Sequence, residues 1–186
     1  MKISQEFTVA KKPESVWEFF QDVPSVAQCL PGAELFGKTE DGAYEGKLSV
    51  KLGPMTAAFE GKATVDPNPS EKTAVIEGRG VDKKGGSRGQ VKVNYAIVPA
   101  DAGSKVSVDA DITLSGPAAQ FGRTGLVNEM SKRLIGDFVD CLEGKLGAES
   151  EDEAKTVTAG DVNGIALFFS SLWSWIKGLF GQGDRG

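Results

Sequence analysis

Residues 44–65 read Tyr44-Glu45-Gly46-Lys47-Leu48-Ser49-Val50-Lys51-Leu52-Gly53-Pro54-Met55-Thr56-Ala57-Ala58-Phe59-Glu60-Gly61-Lys62-Ala63-Thr64-Val65. Apolar or small residues stand at 44, 46, 48, 50 and 52, with charged or polar residues between them. The period of two resumes at 55, 57, 59, 61, 63 and 65, after a Gly53-Pro54 turn. Alternation of this kind places one face of each strand against a core and the other in water. The same signal recurs at Ala74, Ile76, Gly78 and Gly80, at Val91, Val93, Tyr95 and Ile97, and at Val106, Val108, Ala110, Ile112 and Leu114. Asp66-Pro67-Asn68-Pro69 reads as a loop, and Lys83-Lys84-Gly85-Gly86 and Ala102-Gly103 read as turns. Upstream, Ile3, Gln5, Phe7 and Val9 alternate as a first strand. Pro13 then opens a helix through Phe20, and a second short helix runs from Asp22 to Cys29, stopped by Leu30-Pro31-Gly32. The expected order is strand, two short helices, then six consecutive strands from Ala33 to Leu114.

After Ser115-Gly116-Pro117 the period changes. Phe121, Gly125, Leu126, Met130, Leu134, Ile135, Phe138, Cys141, Leu142 and Leu146 recur at helical spacing. No proline interrupts Pro117–Leu146, so the pattern predicts one amphipathic helix about 45 Å long. Consecutive strands joined by short turns form an antiparallel meander. The apolar stripe of the helix must cover that sheet, which makes an α+β domain over residues 1–146. The face assigned inward carries Gly46, Ala57, Gly61, Ala63, Ala74, Gly78, Gly80 and Ala110. These small residues permit either close helix-to-sheet packing with bent strands or a ligand cavity.

Composition narrows the function. The chain carries 21 Lys and Arg against 26 Asp and Glu, a formal charge of −5. That balance excludes nucleic acid as a partner, because phosphate binding needs an excess of cations. There is no histidine, which removes His-based triads and the commonest base near neutral pH. Cys29 and Cys141 form no CxxC pair and read as two separate buried thiols. The first ten residues hold no apolar run of the signal-peptide kind. Together these features predict a cytoplasmic protein.

Candidate chemistry is thin. Asp109 and Asp111 share a strand face opposite Val108, Ala110 and Ile112, which reads as solvated rather than catalytic. Lys83–Gly89 has the composition of a phosphate loop without its spacing. Tyr44, Tyr95, Asn94 and Arg79 are available as polar contacts to a ligand, though surface structure is the simpler role. No catalytic or metal-ligating set is expected.

The end of the chain has its own organisation. Residues 147–160 hold four acids against one lysine with no hydrophobic period, and read as an acidic flexible linker. Fully extended, such a linker reaches about 50 Å. Beyond it, Val162–Ile176 carries no charge. At helical spacing Ile165, Phe168, Phe169, Leu172, Trp175, Ile176, Leu179 and Phe180 share one face, opposite Ser170, Ser174, Lys177, Gly178 and Gly181. The run is shorter than the roughly 20 apolar residues that span a bilayer. It fits an interfacial helix with tryptophan at the headgroups; a groove on a partner protein and packing on its own domain are the other readings. Eight half-buried side chains give a gross term on the order of 10 kcal/mol, against about 5–6 kcal/mol for one myristoyl chain. The expected membrane contacts within residues 161–186 are Phe168, Phe169, Leu172, Trp173, Trp175, Ile176, Leu179 and Phe180.

Val16-Trp17-Glu18-Phe19-Phe20 with Cys29-Leu30-Pro31-Gly32, then Leu52-Gly53-Pro54, Phe59-Glu60-Gly61-Lys62-Ala63 and Ser115-Gly116-Pro117-Ala118-Ala119-Gln120-Phe121-Gly122-Arg123 occur in that order. Residues 1–146 thereby resemble the CoxG-like family of carbon monoxide dehydrogenase subunits, within the START-like, helix-grip (SRPBCC) superfamily. The resemblance implies a helix-grip fold, a curved antiparallel sheet wrapped on a long C-terminal helix, holding an apolar ligand between them. It implies an accessory carrier, not an enzyme, that brings a molybdenum hydroxylase of the carbon monoxide dehydrogenase type to the inner face of the cell membrane. The ligand implied is an isoprenoid quinone, menaquinone or ubiquinone, with Met55, Phe59, Phe121, Leu126, Met130, Leu134 and Phe138 as its expected wall. A cyclase- or hydrolase-like cavity enzyme and a solid-core membrane adaptor are the alternatives.

Overall fold

Alternation in the sequence becomes one seven-stranded antiparallel sheet in the computed structural model, which describes residues 1–52, 54–123, 126–148 and 157–158. The strands are β1 (Lys2–Val9), β2 (Ala33–Lys38), β3 (Tyr44–Leu52), β4 (Met55–Asn68), β5 (Thr73–Asp82), β6 (Ser87–Ala100) and β7 (Gly103–Ser115), in the spatial order β1-β7-β6-β5-β4-β3-β2. Helices α1 (Pro13–Gln21) and α2 (Val23–Cys29) link β1 to β2, which lie at the two edges. Pro13 sits in the first turn of α1, and the Asp22 side chain caps α2 by accepting from the Ser25 amide. Between them the two helices carry the chain from one edge of the sheet to the other. Asp66–Asn68, expected as loop, continue β4. Pro67 is tolerated there because β3 pairs with β4 only as far as Ala63, so no partner lies on that side.

The long helix differs more. A 3-10 segment, Gly116–Arg123, precedes α3 (Leu126–Gly147). Gly116 takes φ of +73°, and a Cβ there would stand 2.6 Å from the Gly86 carbonyl oxygen. The Ala118 amide donates to the Ser87 hydroxyl at 3.0 Å, and both residues are buried. Periodicity cannot report a first turn held by a strand side chain. α3 itself, 22 residues, is about 33 Å long.

The main core gathers Val9, Val16, Phe19, Tyr95, Ile97, Val106, Phe138 and Leu142, from α1, β1, β6, β7 and the C-terminal half of α3. Phe138 stands edge-on to Phe7, Phe19 and Phe20, with ring centres 5.7–6.4 Å apart. A smaller cluster of Leu52, Ala57 and Ala118 packs with Met55, Phe59, Phe121 and Met130.

Cys29 and Cys141 are not separate thiols. They are buried and joined by a disulfide that ties the end of α2 to α3 across 112 residues. The pairing follows from helix–helix contact, which neither cysteine's neighbours reveal. Disulfides accumulate in oxidising compartments, so cysteine usage no longer argues for the cytoplasm. Beside the bond, the buried Lys145 ammonium donates to the Gln28 side chain at 2.8 Å; burial lowers its pKa and Asp22 opposes that shift. Of residues 147–160, Val157 packs against the main core. Its carbonyl oxygen lies 3.9 Å from the Cys141 sulfur, and a Cβ on Gly144 would stand 3.1 Å from its methyl. The tail helix expected over 161–186 lies outside the described residues.

Replacing Cys29 and Cys141 together with serine should lower unfolding stability by up to about 5 kcal/mol, the chain-entropy limit for so long a loop. Urea melts of the oxidised chain and the double variant check this. Coincident midpoints would show the bond does not form.

Candidate ligand cavity

Between the two clusters the sheet and α3 stand apart around a cavity of about 400 Å³, within the range of small-molecule sites. Its floor is the inward face of β3–β7: Leu48, Val50 and Leu52, Phe59, Gly61 and Ala63, Gly78 and Gly80, Gly89 and Val91, Ile112 and Leu114. Val23 and Ala27 of α2 and Met130, Ser131 and Leu134 of α3 close the other side.

The glycines there have two different causes. A Cβ at Gly61 would stand 1.8 Å from the Arg79 carbonyl oxygen, and one at Gly46 2.6 Å from that of Glu34. Those two permit close approach of neighbouring strands. At Gly78 and Gly89 the nearest atoms a Cβ would meet are instead side chains, Val91 at 3.0 Å and Leu114 and Phe59 at 3.5 Å, and at Gly80 they are the Phe59 Cβ at 3.1 Å and the Glu60 carbonyl oxygen at 3.3 Å. Missing side chains at these three positions leave volume in front of α3. Residues of the opposite strand parity, such as Lys62 and Arg79, also border the cavity, because small neighbours, Gly61 and Ala63 or Gly78 and Gly80, expose the strand backbone.

Few polar groups face the space. Tyr44 lines it, with the Lys38 ammonium 5.0 Å from its ring centre, and Ser131 lines it from α3. Glu34–Lys47 and Glu45–Lys62 are paired with each other at 2.7 and 3.0 Å. Neither cavity hydroxyl faces a histidine, since the chain has none. The arrangement suits binding of an apolar molecule.

Of the expected wall residues, Phe59, Met130 and Leu134 line the cavity. Met55 and Phe121 pack in the small cluster at its end. Leu126 opens α3, and its side chain lies outside the described residues. Phe138 is not wall but core: two turns beyond Met130, it is closed in by three aromatic rings. Tyr95 is likewise core, its hydroxyl accepting from Gln21 at 3.3 Å; burial raises its pKa and that hydrogen bond opposes the shift. Asn94 and Asp109 pair across β6 and β7, Asp109 accepts from the Ser4 hydroxyl, and Asp111 lies 3.6 Å from the N-terminal ammonium. Lys83–Gly86 is a hairpin turn, with buried Asp82 accepting from the Lys84 and Gly85 amides at 3.1 and 2.9 Å. Strand parity says nothing of Val23 and Ala27 on α2; Leu114 belongs to the alternating face of β7, and Gly89 follows by extending that of β6.

The family model for CoxG, a carbon monoxide dehydrogenase subunit, matches residues 6–147. The chain belongs to that family. Its match covers the whole sheet beyond the first residues of β1, together with the cavity and α3. No curated protein matches this CoxG-family chain. Among solved structures, a conserved protein of Geobacillus kaustophilus is 19% identical, with a TM-score of 0.64 over 77% of this chain and 92% of its own. A Thermus thermophilus protein is 13% identical, with a TM-score of 0.58 over 81% of this chain and 100% of its own. The Zhui aromatase/cyclase of Streptomyces sp. R1128 is 16% identical, with a TM-score of 0.50 over 79% and 93%. These likenesses establish the helix-grip fold of the CoxG-family chain.

Ala63→Phe should place a ring in the cavity and weaken binding of an apolar fluorophore while the chain stays folded. Phe138→Ala should do the opposite: it should cost about 3–5 kcal/mol of stability and leave the cavity wall in place. Dye titrations and urea melts of both variants separate the two regions.

Proposed function

We propose that this chain is a non-enzymatic carrier, which holds an apolar ligand in the cavity and links a carbon monoxide dehydrogenase-type molybdenum hydroxylase to the membrane. One observation carries the reading: an apolar space of about 400 Å³ between sheet and helix. The family's description as a carbon monoxide dehydrogenase subunit supports the dehydrogenase as the proposed partner. An isoprenoid quinone is the proposed cargo. The cavity volume accommodates a quinone ring with the first part of its chain, and the Tyr44 hydroxyl is of the type that donates to a quinone carbonyl oxygen. Menaquinone and ubiquinone both meet that description.

The tail is the proposed attachment. Among the described residues no helix is long and apolar enough to cross a membrane. Residues 161–186, with Phe168, Phe169, Leu172, Trp173, Trp175, Ile176, Leu179 and Phe180, have the composition of an interfacial segment. Reach to a hydroxylase bound at the surface then comes from the chain itself.

Incubation of the full chain with vesicles containing menaquinone or ubiquinone, followed by re-isolation and solvent extraction, should recover about one quinone per chain at saturation. Recovery of none would remove the cargo assignment. In vesicle flotation, deletion of 161–186 or the pair Phe169→Asp and Ile176→Asp should leave the protein at the bottom of the gradient, because each buried ion is strongly disfavoured in the apolar layer. Unchanged flotation would place the anchor elsewhere.

A further inference from the structure

Among the described residues five large apolar side chains are exposed, and three of them, Leu30, Phe36 and Leu48, fall at the corner of α2, β2 and β3. Val81 and Val98 lie elsewhere on the sheet. The Ala33 amide donates to the Leu30 carbonyl at 3.0 Å, Ala33 pairs with Leu48, and Phe36 occupies an irregularity of the edge strand β2 between Leu35 and Gly37. Leu48 also lines the cavity and is 40% exposed, so the cavity reaches solvent beside it. Phe36 is 61% exposed, an apolar area that water disfavours.

Where the chain leaves the domain places this corner. Val157 is packed beside Cys141 and Gly144, and Cys141 is bonded to Cys29, the residue before Leu30. The apolar segment that begins at Ile165 is therefore tethered not from the end of α3 but from the same corner. From Thr158 to Ile165 the chain spans at most about 25 Å even when fully extended. A tail in the bilayer thus keeps the Cys29–Cys141 bond, and Leu30 next to it, on the side of the domain nearest the lipid, and Phe36 and Leu48 belong to the same corner.

We infer that this corner is a second lipid contact, with Leu30, Phe36 and Leu48 resting on the bilayer surface and the cavity opening toward it. The inference rests on the membrane reading of the tail. It gives an apolar cargo a path between bilayer and cavity that avoids water, and it assigns the edge position of Phe36 a role.

The test uses the full chain, phosphatidylcholine vesicles, and the double variant Leu30→Ser with Phe36→Ser, neither of which lines the cavity. Vesicles should slow amide hydrogen exchange across residues 30–48 of the wild-type chain. The variant should still float, yet take up diphenylhexatriene from loaded vesicles about tenfold more slowly, in keeping with the loss of two apolar surface contacts. Its affinity for the dye added directly should be unchanged. Wild-type uptake by the variant, or absence of vesicle protection at 30–48 in a chain that floats, overturns the corner contact and leaves the tail reading standing. If the chain lacking 161–186 floats and keeps that protection, the tail reading fails and the corner contact stands. A full chain that does not float overturns both.

Discussion

Helix α3 is packed at one end and held off at the other, and the rest of the molecule follows from that inequality. At its C-terminal half Phe138, Cys141 and Leu142 are buried among α1, α2 and the ends of β1, β6 and β7. At its N-terminal half Met130 and Leu134 face Gly78, Gly80 and Gly89 across open space. Apolar burial is strong enough to fix a helix by a few well-packed residues. The other turns can then stand over a cavity without losing their place. Side chains at those three glycines would crowd Val91, Phe59 and Leu114 and take up part of that space.

Covalent bonding reinforces the fixed end. The Cys29–Cys141 disulfide joins α2 to α3, and both helices contribute to the cavity wall, through Val23 and Ala27 on one and Met130, Ser131 and Leu134 on the other. Val157 then covers the bond from outside. The disulfide, the α2 and α3 parts of the cavity wall and Val157 thus share one corner of the domain. Opposite it, the outer face of the sheet carries cross-strand pairs such as Glu77–Lys92 and Glu60–Lys83, which are solvated and contribute little individually.

Most of this architecture was legible in the sequence. Alternation over Ile3–Val9 and Ala33–Leu114 gave all seven strands and the inward face, because a period of two leaves only one way to put Leu48, Val50, Phe59 and Ile112 on the face toward the helix. Helical spacing gave α3 but not its start, since the Ser87–Ala118 hydrogen bond and the φ of Gly116 belong to the tertiary structure. The same periodicity could not separate Phe138 from Met130: both lie on the apolar stripe, and only the aromatic rings arriving from α1 and β1 make one of them core. Nor could it pair the cysteines, 112 residues apart, or show that Val157 returns to the core from an acidic stretch.

The central claim is that the space beneath Met130 and Leu134 is where an apolar ligand sits. Of the three methionines, Met130 lines the cavity, Met55 packs in the adjoining cluster, and Met1 is held at the end of β7 by the Ile112 carbonyl and Asp111. Methyl-13C methionine spectra of the full chain therefore carry a reporter in the site, one beside it and one outside it. Titration with an apolar ligand such as a short-chain quinone should shift the Met130 methyl most, Met55 less and Met1 not at all. A Met130 signal that stays fixed while the ligand binds, or moves no more than Met1, would contradict the account.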